Sequence, residues 1–564
     1  MNYQSIKRIT ALILSCSLLF CGTACGGQNA PEGESKGPEP SQQNESGEAM
    51  TIEENRIILG DEAYGSIETP AKVIVANTEK NTVNPLIFGD NLSWRGNGYG
   101  MWDEEAGAPQ EQLLEMLKES GITHLRYPGG IEGDYFHWDE SVGDVDSRLP
   151  QIDPFSKDYP TYGMKDGESY VATFGPDEFQ KLVEAADIKA TIQLNAGNGT
   201  PQEAADWVRY CIDQELDVAT FAVGNEVHFA EERVEGMTVT KTPQEYIDFY
   251  NAVWEALGDT ADDITLGCIG VPASHPLNKY RNWDAQVLSA LSDKVDFIDI
   301  HIGYTPYLST GESTQAAAEN YLAASVWIQE LIETEKQTIQ DAAGDRYDDI
   351  DIQITEYGPI GGSYPNSLAG AIFLASFFNV VLAEPKITAA NHLPMINHYD
   401  APNLLGSLLD LSVTGEEAYW DNIQTHVFRM YSAQSGRQVL DTQVEAPGTF
   451  SCQKVGLVPA VSGVPNGEAS VYYDPETKNG SIFLINKSTD ENMTFEIDLP
   501  FAQVSLGKTQ ELWNQNPAAK NNWSNPEMVA PVTYDTETAV PADGAFQIQT
   551  KPVSLVKVDF TVAG

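Results

Sequence analysis

The feature that most constrains this chain is a regular alternation of short apolar runs with longer amphipathic stretches between Pro85 and Pro394. Apolar runs separated by helix-length segments indicate parallel β-strands joined by crossover helices. Eight such units in about 300 residues fit a closed barrel better than an open sheet, so we predict an α/β fold with a (β/α)8 TIM barrel. The predicted strands are Leu86–Phe88, Ile122–Tyr127, Ala190–Leu194, Val218–Val223, Ile264–Ile269, Phe297–Ile300, Ile350–Ile354 and Ile387–Asn391.

The pattern changes after Tyr431, where short apolar runs are separated by Gly, Pro, Asn and Asp without an intervening helical period. This pattern is typical of an all-β sandwich. Ala71–Val75, ahead of the barrel, alternates in the same way and is expected to join that sandwich. We therefore predict one or more strands at 65–84 that belong to the sandwich, the barrel at 85–425 and a C-terminal β-sandwich domain at 426–564.

The first 25 residues have the features of an export signal. Lys7 and Arg8 precede an apolar run from Ile9 to Phe20, which is too short to span a bilayer. The segment ending at Cys25 resembles a bacterial lipobox, although Gly22 stands where that motif prefers leucine. We predict a signal peptide at 1–24, lipidation of Cys25, a disordered linker at 25–64 and an extracellular, lipid-anchored location. Cleavage and secretion without a lipid is the alternative.

The charge and the cysteines narrow the classes of partner. The chain has 83 acidic and 32 basic residues, a formal net charge of −51. Phosphate binding needs clustered Lys and Arg, so we predict no nucleic-acid partner and no membrane contact apart from the lipid anchor. Cys211, Cys268 and Cys452 are scattered through the chain without metal-ligand spacing. They predict neither a disulfide framework nor a metal site, and the oligomeric state stays open.

Two glutamates stand at corresponding places in the predicted barrel. Glu226 follows the fourth strand and Glu356 follows the seventh. Because catalytic side chains of such barrels lie at the carboxyl ends of the strands, both are expected at the same mouth. Paired carboxylates across a cleft can cleave a glycosidic bond, one as acid and base and the other as nucleophile or second base. The alternative is that each glutamate closes a salt bridge at a strand end.

This placement resembles clan A of the glycoside hydrolases, in which the acid/base follows strand four and the nucleophile follows strand seven. Within the clan, the order of Leu125–Gly130, Phe174–Phe179, Leu194–Thr200 and Gly224–Glu226 resembles family 51, which consists mainly of α-L-arabinofuranosidases. The resemblance implies Glu226 as acid/base and Glu356 as nucleophile. It also implies a substrate-binding site that includes Asn225, Arg126, His301, Tyr304, Asn195 and Asn391. Arg126 would hold the nucleophile ionised.

The chain departs from the family pattern at positions that bind the sugar. Ser93 stands where the family has a glutamate after strand one, and Ile131, followed by Glu132, stands where it has an asparagine. Tyr304 is displaced by one residue. These departures predict that the hydrolytic chemistry is kept while sugar recognition is changed. Trp94, in the loop after strand one, is a further expected substrate-binding residue, because apolar sugar faces stack on aromatic rings.

Together these features predict a retaining glycoside hydrolase, most similar to an α-L-arabinofuranosidase, that acts on a carbohydrate substrate without a metal or organic cofactor. Two alternatives stay open. The first is an endo-acting or β-specific glycosidase of the same clan, such as a β-glucanase or β-xylosidase. The second is a non-catalytic sugar-binding lipoprotein, although the hinged lobes of such proteins do not match eight sequential βα units.

Overall fold

The structure is a computed structural model, and it leaves the predicted signal peptide and Cys25 outside the described residues. Among the described residues we find no helix that is both long and apolar enough to span a bilayer. The described residues are 51–53, 56–152, 170–228, 240, 242–276, 278, 280–304, 314–359, 366–393, 396–397, 405–408, 418–522, 524–540 and 545–563.

Eight parallel strands close into a barrel, which confirms the predicted fold class. Each strand pairs with its neighbour in the chain, and the eighth closes the ring by pairing with the first. The strands are β1 (Gly89–Asn91), β2 (His124–Tyr127), β3 (Lys189–Leu194), β4 (Val218–Val223), β5 (Leu266–Gly270), β6 (Phe297–Tyr304), β7 (Asp351–Gly358) and β8 (Ile387–His392). Their carboxyl ends therefore meet at one mouth, where the fold places functional side chains.

The first strand begins later than the apolar run Leu86–Phe88 predicts. Pro85–Ile87 forms a 3₁₀ turn instead, because the side chain of Asn84 accepts a hydrogen bond from the backbone N–H of Leu86. The strand then starts at Gly89, where a Cβ atom would lie 2.1 Å from the ring of His124. Glycine is thus required for β1 to approach β2 at this point.

Among the described residues, eight helices of nine or more residues cover the barrel. Two of them begin at a capping threonine: Thr200 Oγ1 accepts from Glu203 N, and Thr242 Oγ1 accepts from Glu245 N. The helices are α1 (Glu111–Ser120), α2 (Pro176–Ala186), α3 (Pro201–Asp213), α4 (Pro243–Leu257), α5 (Trp283–Leu291), α6 (Thr314–Ala343), α7 (Leu368–Leu382) and α8 (Ile423–Ser432). These helices bury the outer faces of the strands, so the barrel has a continuous core.

Removal of the Thr200 hydroxyl by Thr200→Ala should loosen the start of α3. The substitution leaves the N–H of Glu203 without its cap, a loss typically worth about 1 kcal/mol. We expect faster amide hydrogen exchange in the first turn of α3 and unchanged exchange at the start of α4, whose own cap is intact. Unchanged protection at both helix starts would contradict a capping role for Thr200.

A large sheet forms the second domain and includes the segment ahead of the barrel. Ala71–Thr82 lies between Gln438–Glu445 and Glu491–Asp498. The sheet packs on the barrel through α8, where the rings of Tyr431 and Phe483 lie 4.2 Å apart between centroids. In hydrogen-bonded order its strands are Thr51–Glu53, Arg56–Ile58, Phe546–Thr550, Glu491–Asp498, Ala71–Thr82, Gln438–Glu445, Gly467–Asp474, Asn479–Asn486, Ser554–Val562, Val504–Leu512 and Val532–Val540, and Gly65–Ser66 pairs with Glu491–Asp498.

Two domain limits differ from the expected ones. The linker expected at 25–64 is interrupted by Arg56–Ile58, which pairs with Phe546–Thr550 and buries Ile57. Its apolar residues supply the burial that ordering requires. The barrel also extends past residue 425, because α8 runs to Ser432 and packs on the barrel core.

Candidate active site

The two predicted catalytic glutamates meet at the barrel mouth. One carboxylate oxygen of Glu226, one of Glu356 and a ring nitrogen of His301 all lie within 4.8 Å of one another. The side chain of Glu356 is 7% exposed and that of Glu226 is 18% exposed. A substrate that reaches the mouth can therefore contact both carboxylates at the same time.

The backbone after β4 is turned so that Glu226 faces the mouth. Gly224 has φ +89° and Glu226 has φ +45°, both in the left-handed region. A non-glycine residue in that region is strained by about 1–3 kcal/mol and persists only where its surroundings hold it. Here Asp134 Oδ1 accepts a hydrogen bond from the backbone N–H of Asn225 at 3.0 Å. The loop after β2 thus fixes the turn that carries the acid/base candidate.

Arg126, at the end of β2, connects three strand ends. Its Nη1 donates to Glu356 Oε1 at 3.0 Å and to Asn91 Oδ1 at 2.9 Å, and its Nη2 donates to Asn225 Oδ1 at 2.7 Å. The guanidinium is fully buried. Asn91 is itself held because its Nδ2 donates to the carbonyls of Thr355 and His392. A buried cation held in this way stabilises negative charge on Glu356.

His301, in β6, lies between the two glutamates. Its Nδ1 is 2.9 Å from Glu226 Oε1 and 3.5 Å from Glu356 Oε2, and its Nε2 is 3.1 Å from Thr355 Oγ1. Burial lowers the pKa of His301, but the charges of Glu356 and Asp299 and the hydrogen bonds to Asp299 and Glu226 outweigh it and raise the pKa to about 10. The ring therefore carries a positive charge near neutral pH.

The same three side chains have the spacing of a metal site. Among the described residues, Glu226, His301 and Glu356 form the one group of at least three candidate ligands that could hold an ion. Metal binding needs a deprotonated imidazole nitrogen, so an ion would have to displace the proton that the neighbouring carboxylates favour on His301. The same three side chains also suit acid–base work.

The other predicted site residues lie elsewhere around the mouth. Asn195 organises the loop after β3: its Oδ1 accepts from the N–H groups of Gly197, Asn198 and Gly199. Asn391 is fully buried, and its Nδ2 donates to the Asp90 carbonyl and lies 3.0 Å from His124 Nε2. Both amides are engaged in the scaffold in this structure.

The structure describes the side chain of one of the two predicted aromatic residues, Trp94, but not that of Tyr304. Trp94 has no exposed surface and stacks on Phe136 at 5.6 Å between ring centroids. The structure therefore places Trp94 in the core under the loop after β1, and no open ring face is available to a sugar. Tyr304 ends β6, where it pairs in register with Gly358 of β7. Its side chain is outside what the structure describes.

The sequence reasoning missed several residues that shape the site. Thr355 Oγ1 donates to the carboxylate of Asp299 at 2.6 Å. Burial by itself would raise the pKa of Asp299, but the hydrogen bond and the charge of His301 outweigh burial and lower this pKa. Glu132 is buried near Glu356 and contacts Ser93. Asp299 and Thr355 are polar residues at otherwise apolar strand ends, and this polarity was the available signal for them. Glu132 was named only as the neighbour of Ile131, and its contact with Ser93 has no signal in the sequence, since it depends on how two loops meet.

Two family models match the chain. The model described as the α-L-arabinofuranosidase C-terminal domain matches residues 338–554, and the model described as the α-L-arabinofuranosidase 1 domain matches residues 116–243. The second match contains Arg126 and Glu226, and the first contains Glu356. The three central residues of the site thus lie in the matched segments.

Similar proteins extend over most of the chain. An intracellular exo-α-(1→5)-L-arabinofuranosidase from Bifidobacterium longum is 22% identical over 88% of this chain and 93% of its own. Another from Streptomyces lividans is 21% identical over 84% of this chain and 72% of its own. The names of both relatives contradict the extracellular location predicted here. That prediction rested on the first 25 residues and on an imperfect lipobox, and we do not maintain it.

The fold also has known counterparts. A family 51 α-L-arabinofuranosidase structure from Bifidobacterium longum superposes with a TM-score of 0.71 at 20% identity, covering 87% of this chain and 100% of that chain. At this identity the likeness establishes the barrel and the β-sandwich domain. The prediction of a glycoside hydrolase is confirmed by the family models and the full-length relatives. The chain is an arabinofuranosidase-like glycoside hydrolase.

Proposed function

We propose that this protein is a retaining α-L-arabinofuranosidase that removes terminal α-L-arabinofuranosyl groups from a carbohydrate. The observation that carries the proposal is the approach of the two carboxylates, since an oxygen of each lies within 4.8 Å of the other. Retaining glycosidases have carboxyl groups about 5–5.5 Å apart, whereas inverting enzymes need about 6.5–9.5 Å to admit a water molecule. The exo action and the sugar are supported by the names of the full-length relatives.

In the first step Glu356 acts as the nucleophile. One of its oxygens forms an ester bond to the anomeric carbon while the glycosidic C–O bond breaks, and Glu226 gives its proton to the leaving oxygen. Arg126 Nη1 donates to Glu356 Oε1, so Oε2 is the oxygen of Glu356 that does not accept from Arg126. The guanidinium thus orients the nucleophile.

In the second step a water molecule attacks the anomeric carbon. Glu226, now a carboxylate, takes a proton from that water, the ester bond breaks and Glu356 is regenerated. His301 Nδ1 lies 2.9 Å from Glu226 Oε1 and holds this side chain in place for the proton transfer. Asn225, fixed between Arg126 and Asp134, is held next to the acid/base for contact with the sugar.

The configuration of a transfer product tests this proposal. With an aryl α-L-arabinofuranoside as donor and methanol as acceptor, two successive displacements give a methyl α-L-arabinofuranoside. We expect this anomer in the proton NMR spectrum at early times. A methyl β-anomer would mean a single displacement and would reject the double-displacement mechanism.

A substrate panel separates the alternatives. Aryl arabinofuranosides, xylosides, glucosides and galactofuranosides, together with soluble β-glucan and xylan, are incubated with the protein and read by chromatography. Release of arabinose alone supports the proposal. Oligosaccharides from β-glucan or xylan, or xylose or glucose from aryl glycosides, would favour the endo-acting or β-specific alternative. Ligand binding by thermal shift with no product from any donor would favour a non-catalytic binding protein.

A further inference from the structure

A third carboxylate, that of Glu132, lies at the mouth near Glu226 and Glu356. Glu132 Oε1 accepts three hydrogen bonds, from Ser93 Oγ at 3.3 Å, Arg95 Nη1 at 3.0 Å and Tyr99 OH at 3.3 Å. Glu132 and Arg95 are both buried, with 6% and 4% exposure. The loop after β1 therefore holds, through one oxygen, a carboxylate that the loop after β2 supplies.

The other oxygen of Glu132 is directed toward the nucleophile. A Cβ atom built on Gly130 would lie 2.9 Å from Glu132 Oε2 and 3.9 Å from Glu356 Oε1, so both oxygens border the same small space. Gly130 has φ +75° and has no side chain to fill it. Among the described residues, Oε2 of Glu132 accepts no hydrogen bond, while Oε1 accepts three.

This arrangement is not what stability alone favours. Replacing a buried ion pair by apolar residues of similar volume is often neutral or stabilising, so a buried Arg–Glu pair is weak evidence for a structural role. No protein group among the described residues donates to Glu132 Oε2, so this oxygen is available to accept a hydrogen bond from a hydroxyl group of a bound sugar. A carboxylate that accepts from a hydroxyl at this place would bind the sugar ring that Glu356 attacks.

We propose that Glu132 is a specificity-determining residue whose Oε2 accepts a hydrogen bond from one hydroxyl group of the sugar bound next to Glu356. Ser93, Arg95 and Tyr99 are positioning residues that fix the carboxylate through Oε1. The inference rests on the proposed function, because it requires a sugar in this subsite. Glu132 thus favours sugars that carry a hydroxyl group facing its Oε2 over sugars that lack this hydroxyl.

The test compares Glu132→Gln with wild type on a set of aryl α-L-arabinofuranosides: the complete sugar and its 2-deoxy, 3-deoxy and 5-deoxy analogues. Losing a hydrogen bond to a charged group lowers kcat/KM for the complete sugar by about 10- to 100-fold. On the analogue that lacks the partner hydroxyl, the wild type and the variant should be equally active. On the other analogues the difference should persist. A purely structural role would lower activity on all four substrates by the same factor.

Glu178→Gln is the matched control, since Arg148 Nη2 donates to Glu178 Oε1 at 2.9 Å in a similarly buried pair at the start of α2. It should leave the four kcat/KM values in their wild-type ratios. If thermal unfolding shows that Glu132→Gln does not fold, Glu132→Asp keeps the charge and withdraws the oxygen, and the same dependence on one hydroxyl is expected.

Two results would overturn the assignment while leaving the proposed function intact: equal activity of Glu132→Gln and wild type on every sugar, or a uniform loss on all four. If the wild type hydrolyses none of these arabinofuranosides, the proposed function fails and the assignment of Glu132 fails with it. The two failures are thus distinguished by the wild-type rates alone.

Discussion

Replacing Glu356 by Ala or Gln should lower turnover of every cleaved glycoside by on the order of 10⁴-fold or more, because the variant lacks the carboxylate that we propose forms the bond to the anomeric carbon. Gln keeps the shape of the side chain and an acceptor for Arg126 Nη1, which donates to Glu356 Oε1 at 3.0 Å. Ala leaves this buried guanidinium with fewer partners and is expected to be less stable. Thermal unfolding of both variants separates lost chemistry from lost fold.

Glu226 variants give the complementary result and distinguish the two roles. Glu226→Ala should lose about 10²–10⁴-fold on substrates whose leaving oxygen needs a proton. With a dinitrophenyl leaving group, which departs without protonation, the first step should stay fast. Azide should restore turnover by attacking the anomeric carbon, which releases the Glu356 carboxylate and gives a glycosyl azide. Glu356→Gln should not recover with the same leaving group. Recovery of Glu356→Gln, or normal hydrolysis by it, would show that Glu356 is not the nucleophile.

The shared location of Glu226 and Glu356 was predictable because barrel topology relates position in the chain to position in space. Once eight strands are counted, Glu226 after β4 and Glu356 after β7 must face one mouth, and so must Arg126 at the end of β2. The hydrogen bonds of Arg126 to both strand ends agree with this reasoning. Predicting the positions of these three residues requires no knowledge of loop structure.

The residues that the loops bring together could not be predicted in the same way. Glu132 meets Ser93 and Arg95 because two irregular loops fold against each other, and no periodicity in the sequence fixes such a contact. Trp94 shows the same limit for aromatic residues. A tryptophan in a mouth loop can face either the ligand or the core. Trp94 faces the core, where its ring packs against Phe136.

The pattern along α6 contained a signal that sequence analysis did not use. Ile328, Leu331, Ile332 and Ile339 follow one helical face, and all are buried. Glu335 stands on that same face. A carboxyl group on an otherwise apolar stripe must be neutralised or paired when the helix packs. Its partner, Asp284 of α5, is another acid and is visible only in the structure.

Glu335→Gln should therefore stabilise the protein at alkaline pH. Burial raises the pKa of Asp284 to about 7, and burial together with the charge of Asp284 raises the pKa of Glu335 well above its usual range. No hydrogen-bond donor among the described residues reaches either oxygen of Glu335. In the unfolded chain both groups ionise near about pH 4, so folding must take up protons at neutral pH.

The direction of the pH effect follows from these raised pKa values. Stability from the protonated pair is complete below about pH 4 and is lost as pH rises through the folded pKa values, near about 7 for Asp284 and higher for Glu335. Glutamine cannot ionise and its amide can donate to Asp284. At about pH 8 we expect a gain of about 2–4 kcal/mol in the free energy of unfolding, which should shrink toward about pH 4.

Thermal unfolding of wild type and variant across this pH range measures the difference, and groups such as His301 that titrate in both proteins cancel from it. Glu330→Gln, on the exposed face of the same helix, is the control and should change stability little at any pH. Asp284→Asn should reproduce the alkaline gain, because an asparagine oxygen can still accept from Val271 N. A gain that is independent of pH, or one that grows toward acid pH, would mean that the two carboxyls do not share a proton and that Glu335 is neutralised in another way.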